Sequence, residues 1–225
     1  MKDVFIIIAA YNEEEKIGTV LSDLKKKGYR KIIVVDDGSS DATYSVCKKQ
    51  KVIVIKHIIN RGQGAALKTG IEYAIQNDAK IIVTFDGDGQ FLVSDIKKVI
   101  EPVINKEVDV VLGSRFLGKT INMPALKKNV LKLGVIVVFI LYGIRITDSQ
   151  CGFRALSRKA MLKIKLTSDK MEHAGEIFSE IMRNNLKYKE IPITVIYDDY
   201  ALKKGQDWKQ SLALGLKMLF KKIKW

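Results

Sequence analysis

Five short runs of apolar, largely β-branched residues, at 4–10, 31–35, 52–55, 80–85 and 108–112, alternate with stretches of helical periodicity at 13–27, 42–50, 65–77 and 93–105. That alternation leaves few architectures open. Strands joined by helical crossovers build a mainly parallel sheet covered by helices, and such sheets bind ligands beyond the carboxyl ends of their strands. Four polar loops fall at that rim: Tyr11-Asn12-Glu13 after the first strand, Asp36-Asp37-Gly38-Ser39-Ser40-Asp41 after the second, Asn60-Arg61-Gly62 soon after the third, and Asp86-Gly87-Asp88 after the fourth.

Beyond residue 115 the pattern loosens into a basic, partly apolar region, followed by Asp148-Ser149-Gln150-Cys151-Gly152-Phe153-Arg154, a helix near 174–184 and a strand-like 191–197. With 225 residues and 47% of them hydrophobic, the chain can bury one substantial α/β core. No linker or internal repeat divides it, so we expect one domain over 1–205 followed by a tail over 206–225. In that tail Leu212, Leu216, Leu219, Phe220 and Ile223 share one helical side opposite several lysines, the pattern of an amphipathic helix lying on anionic lipid.

Lysine and arginine number 39 against 25 acidic residues, a net charge of +14, so some face attracts nucleic acid, anionic lipid or phosphorylated substrates. Cys47 and Cys151 lie far apart without metal-ligand spacing, which fits a reducing compartment. Met1-Lys2-Asp3 leads straight into a strand, so no secretory signal is expected. The longest apolar segment, 133–144, falls short of the roughly 20 residues that span a bilayer. These features together predict a cytoplasmic protein, peripheral on the inner face of the membrane.

The carboxylates are the most specific chemical signal. Asp86 and Asp88 sit one residue apart at the end of a buried strand, where their repulsion costs stability unless a cation or hydrogen-bond donors offset it. Gln90 adds a neutral oxygen of the kind that Mg²⁺ or Mn²⁺ accepts. Asp36 and Asp37 precede a glycine turn and suit either a turn with a helix cap or an acceptor for a base imide or ribose hydroxyl. Tyr11 can lie against a nucleobase, and Glu13 can accept from a ribose or favour the start of a helix. Asn60-Arg61-Gly62-Gln63-Gly64 has neither the Rossmann glycine spacing nor a P-loop lysine; its glycines suit a close approach to backbone or ligand.

As an ordered set these residues resemble the family 2 glycosyltransferases of the GT-A fold, in the polyprenyl-phosphate branch that includes dolichyl-phosphate mannose synthases and dolichyl-phosphate glucosyltransferases. The matching pieces are Ala10-Tyr11-Asn12-Glu13, Asp36 to Thr43, Asn60 to Ala66, Asp86 to Gln90, Gly113-Ser114-Arg115-Phe116 and Asp148 to Arg154. The resemblance implies a Rossmann-like, mainly parallel sheet flanked by helices, with a C-terminal amphipathic helical appendage. It implies an inverting transfer of a hexose from a nucleotide-diphosphate sugar, of UDP-glucose or GDP-mannose type, to a polyprenyl or dolichyl monophosphate at an anionic membrane surface. Carried over by position, Ala10, Tyr11, Glu13, Asp36, Asp37, Asn60 and Gly62 would hold the nucleoside side, with Asp86 and Gly87 facing ribose and sugar. Asp88 with Gln90 would bind Mg²⁺ or Mn²⁺, and Arg115 would meet the acceptor phosphate, so Asp88 and Arg115 are the expected catalytic pair.

Departures from the family pattern are specific. Ala10 stands where many relatives have proline, Lys128 and Lys132 occupy the region of a second acceptor-phosphate arginine, with Lys127 beside them, and Lys203-Lys204 replace a late basic segment over the diphosphate. The Gln150-Cys151-Gly152-Phe153 run is closer to the glucosyltransferases than to the mannose synthases. A family 2 enzyme acting on a hydroxyl acceptor would need a base, for which Glu176 or Glu180 would have to reach the metal site. Nucleic acid is not an expected partner, because the aromatic residues are sparse and not interleaved with a basic stripe.

Overall fold

The computed structural model describes residues 3–204. The expected strands are β1 (Val4–Ala10), β2 (Lys31–Asp36), β3 (Ile53–Lys56), β4 (Ile81–Thr84) and β5 (Val110–Ile121), joined by β6 (Arg154–Ser157) and β7 (Tyr188–Ile196). They form one sheet in the order β3-β2-β1-β4-β6-β5-β7. Pairing is parallel except at β6, which runs antiparallel to both β4 and β5.

The inner strands β1 and β4 are almost wholly apolar because both sheet faces are covered there. On one face Ile6, Ile8, Val34 and Val83 pack with Ile17, Leu21 and Leu24 of α1 (Ile17–Lys26) and with Ile96, Val99 and Val103 of the helix over Ile96–Ile104. On the other, Phe5, Ile7, Ile33 and Ile82 pack with Ala66, Leu67, Ile71 and Ala74 from Gln63–Gln76 and with Ile177, Phe178 and Ile181 from His173–Arg183. In chain order, α2 is Thr43–Lys49, α3 Gln63–Gln76, α4 Ile96–Ile104, α5 Ala125–Tyr142, α6 Arg158–Lys163, α7 His173–Arg183 and α8 Asp199–Lys204.

The region beyond residue 115 is more regular than its sequence suggests. β5 continues to Ile121 by pairing with β7, with an irregularity between Ser114 and Lys119. Polar residues interrupt the apolar run there, so periodicity alone hides the strand's outer half. The 133–144 segment lies mostly within α5, which buries Leu131, Val138 and Leu141. Among the described residues no helix is long and apolar enough to cross a membrane. The tail over 206–225 lies outside the described residues, as do the side chains of Lys203 and Lys204, whose backbone ends α8.

Candidate active site

The carboxyl ends of β1, β2 and β3 carry loops that bind one another. The Asn12 and Glu13 amides donate to Ser39 Oγ and Thr43 Oγ1 at 3.0 and 2.7 Å, and the Ser40 amide donates back to Asn12 Oδ1 at 2.9 Å. Asp37 ties in a third loop, accepting from the Gly62 amide at 2.6 Å and from the Arg61 amide at 3.1 Å, while His57 Nδ1 lies 2.6 Å from its Oδ1. Gly62 adopts φ +115°, a conformation open to glycine, and this aims its amide at the carboxylate. Asp37 therefore organises the Asn60–Gly62 loop directly. Asp36 is fully buried, with the Ser39 amide on Oδ1 and, among the described residues, no hydrogen bond to Oδ2, which lies 4.0 Å from Lys56 Nζ, whereas Tyr11 is 45% exposed at the rim.

Beside this rim opens a cavity of about 330 Å³, lined among others by Glu13, Asp86, Asp88, Gln90, Arg115 and Lys127. β4 delivers the two aspartates there, as its apolar run predicts. Asp88 turns one oxygen to the Gln90 amide at 2.9 Å, and Gln63 Nε2 lies 3.4 Å from Asp86 Oδ1. Burial, then the Asp88 charge, raises the Asp86 carboxyl to about 7, against the opposing pull of Arg154. Asp88, Gln90 and Asp86 supply hard oxygen donors suited to a divalent cation.

Arg115 also lines the cavity; it is nearly buried at 7% exposure, donating from Nε to Asp148 at 2.6 Å and from Nη1 to the Tyr197 hydroxyl at 2.6 Å. Burial works against its charge, but the charge and hydrogen bond of Asp148, together with the neighbouring Cys151 and Tyr197, more than offset it and hold the guanidinium more firmly protonated than usual. Lys127 Nζ sits 4.9 Å from the centre of the Tyr197 ring, and burial, then the nearby Arg115 charge, lowers its pKa.

The helical phase of α5 corrects the expected acceptor-side lysines. Lys127 shares a face with the buried Leu131 and Val138, while Lys128 and Lys132 are exposed and do not line the cavity. Glu176 and Glu180 do not reach it either: Glu176 accepts from Thr167 and Ser168, and Glu180 pairs with Arg183 at 2.7 Å.

Three cavity residues escape a reading based on strand ends. Because β6 runs backward, its first residue, Arg154, pairs with Thr84 and Leu112 at the sheet's functional edge. Gly152 lies so close to Asp86 that a Cβ there would stand 3.0 Å from Oδ1, and its carbonyl accepts from Thr84 Oγ1 at 2.5 Å. His173, at the start of α7, is 3% exposed with Nδ1 2.8 Å from the Lys170 carbonyl.

Burial, then the Arg154 charge, lowers His173 to about 4. A histidine in the unfolded chain titrates near 6.5, so between these values the unfolded state takes up a proton that the folded state refuses. This stabilising contribution is complete above pH 6.5 and is lost as pH falls toward 4, by about 2–3 kcal/mol. His173→Gln should therefore lose less stability than the parent protein when urea denaturation at pH 7 is compared with pH 4.5. An unchanged pH dependence would contradict this.

The profile of glycosyl transferase family 2 matches residues 5–164. An uncharacterized protein of Methanocaldococcus jannaschii is 42% identical over 98% of this chain and 91% of its own length. UDP-N-acetylglucosamine–dolichyl-phosphate N-acetylglucosaminyltransferase of Methanococcus voltae is 38% identical over 98% and 94%, and dolichyl-phosphate beta-glucosyltransferase of Saccharomyces cerevisiae is 32% identical over 84% and 65%. Among solved structures, glucosyl-3-phosphoglycerate synthase from Mycobacterium tuberculosis, in complex with Mn²⁺, UDP and glucosyl-3-phosphoglycerate, matches with a TM-score of 0.71 at 15% identity, covering 96% of this chain and 79% of that one. That last likeness concerns the fold.

Proposed function

This chain belongs to glycosyl transferase family 2, and we propose that it transfers a hexose, with inversion, from a nucleotide-diphosphate sugar to a polyprenyl monophosphate. The observation that carries this reading is a single cavity lined both by the Asp86 and Asp88 carboxylates and by the Arg115 and Lys127 cations. The carboxylates suit a donor diphosphate with its cation, and the cations suit an anionic acceptor. The relatives named for dolichyl-phosphate transfer support the same acceptor class.

In this reading Tyr11 lies against the base, Asp37 holds the Asn60–Gly62 loop under the nucleoside, and Glu13 accepts from the ribose. Tyr200 donates to Glu13 at 2.8 Å and so fixes the orientation of that carboxylate. Asp88 and Gln90, with Asp86 beside them, would hold Mg²⁺ or Mn²⁺, which neutralises the departing nucleotide diphosphate when bound. Arg115, already aligned by Asp148 and Tyr197, donates from its remaining nitrogens to the acceptor phosphate together with Lys127. A phosphate oxygen is anionic at neutral pH and needs no strong general base, which agrees with the distance of Glu176 and Glu180 from the cavity.

We also place the enzyme peripherally on the inner face of the membrane. In support, α5 leaves Leu126, Leu133, Ile136, Phe139 and Ile140 exposed while its Lys127 lines the cavity, and the chain carries a charge of +14 that favours anionic lipid. The direct test supplies polyprenyl phosphate, Mn²⁺ or Mg²⁺, and labelled UDP-glucose, UDP-N-acetylglucosamine or GDP-mannose in turn. Label should enter the lipid phase with one donor class and require the metal. No lipid-linked label with any of the three would overturn the proposal.

A further inference from the structure

Once a diphosphate and an acceptor phosphate are assigned to the carboxylates and the cations, part of the cavity lining is still without a role. It comprises Arg154, His173, Gln63, Gln150, Met171 and Ala174. Arg154 is the unusual member. It is 2% exposed, its Nε has no hydrogen-bond partner among the described residues, and its guanidinium stacks 5.7 Å from the centre of the Phe178 ring. A buried guanidinium nitrogen left unbonded is costly, and the cost is offset when a ligand oxygen accepts from the group.

His173 complements it. Its Nδ1 faces the Lys170 carbonyl at 2.8 Å, an acceptor, so the neutral ring carries its proton on Nδ1 and presents Nε2 as an acceptor. Arg154 has only donors and His173 Nε2 only a lone pair. A sugar hydroxyl both accepts and donates, so adjacent hydroxyls satisfy such a pair, whereas a second phosphate would satisfy Arg154 and be repelled by the lone pair.

We propose that Arg154 and His173 form the sugar-recognition corner of the cavity, with Arg154 donating to and His173 accepting from hydroxyls of the transferred hexose. The inference rests on the nucleotide-sugar reading above and deepens it. Arg154 has a second effect, because its charge draws the Asp86 carboxyl toward ionisation. Removing it therefore disturbs nucleotide and metal binding together with sugar binding. For that reason the informative quantity is a ratio, the affinity for a nucleotide sugar divided by the affinity for the bare nucleotide.

Calorimetry with Mn²⁺ should compare UDP with UDP-glucose and UDP-N-acetylglucosamine, and GDP with GDP-mannose, in the parent protein, Arg154→Gln, Arg154→Lys and His173→Gln. We expect Arg154→Gln to lower the ratio for the preferred sugar about tenfold, the loss of one hydrogen bond from a charged donor. Arg154→Lys should recover part of it and His173→Gln should lower it about threefold or more. An unchanged ratio in Arg154→Gln overturns the inference while leaving the transferase reading intact. Failure of the parent protein to bind any of the five ligands overturns both. Should Arg154→Gln melt below the assay temperature, Arg154→Lys decides: a ratio lowered at least threefold supports the corner, and an unchanged ratio overturns it.

Discussion

Asp88→Ala should reduce transfer by about 100-fold to 1,000-fold or more, the scale seen when a group that stabilises developing negative charge is removed. The loss should occur without unfolding. Asp88 contributes, after burial, to the raised Asp86 carboxyl, so deleting it relieves a repulsion at the end of β4. Without added metal, Asp88→Ala should melt no lower than the parent protein. Chelation separates this role from a structural one: it should silence the parent enzyme and leave the residual activity of the variant unchanged. A variant that keeps transfer above a tenth of the parent rate would remove Asp88 from the catalytic account.

The second large effect concerns stability. Asp148→Ala leaves the Arg115 guanidinium buried without its counter-charge and removes an acceptor from the Arg115 amide at 3.1 Å and the Gln150 amide at 3.2 Å. Breaking a buried pair on one side costs about 3–5 kcal/mol. For a chain of this size that corresponds to a fall in Tm of about 10 °C. Asp148→Asn should cost less, because shape and one acceptor oxygen remain. Combining Arg115→Gln with Asp148→Asn should cost clearly less than the sum of the single changes, the mark of a coupled pair. Additive losses would show that the two residues act separately, and denaturant titration of the four proteins measures this.

The carboxylate side of the site was legible because sequence and space run in step there. β1, β2 and β4 each end in their polar residues, the strands are parallel, and so loops written after each strand meet at one edge. Asp86 and Asp88 follow the clearest apolar run, and the structure puts both on the cavity. The cationic side is harder to read. Arg115 lies within a strand that continues to Ile121, Lys127 is separated from Lys128 by one step of helical phase, and His173 reaches the cavity only through the packing of α7. Arg154 stood within a recognised motif, but its placement depends on β6 running backward, a fact of pairing between distant segments that no local pattern contains.

That reversed strand also sets a length. β6 lies between β4, which ends at the aspartates, and β5, which carries Arg115, and it bonds to both. Neighbouring strands stand about 4.8 Å apart, so β4 and β5 are held roughly 9–10 Å from each other where β6 pairs with both. Side chains beyond the strand ends can be exchanged without altering that span, which is fixed by the backbone, as by a ruler whose unit is one strand.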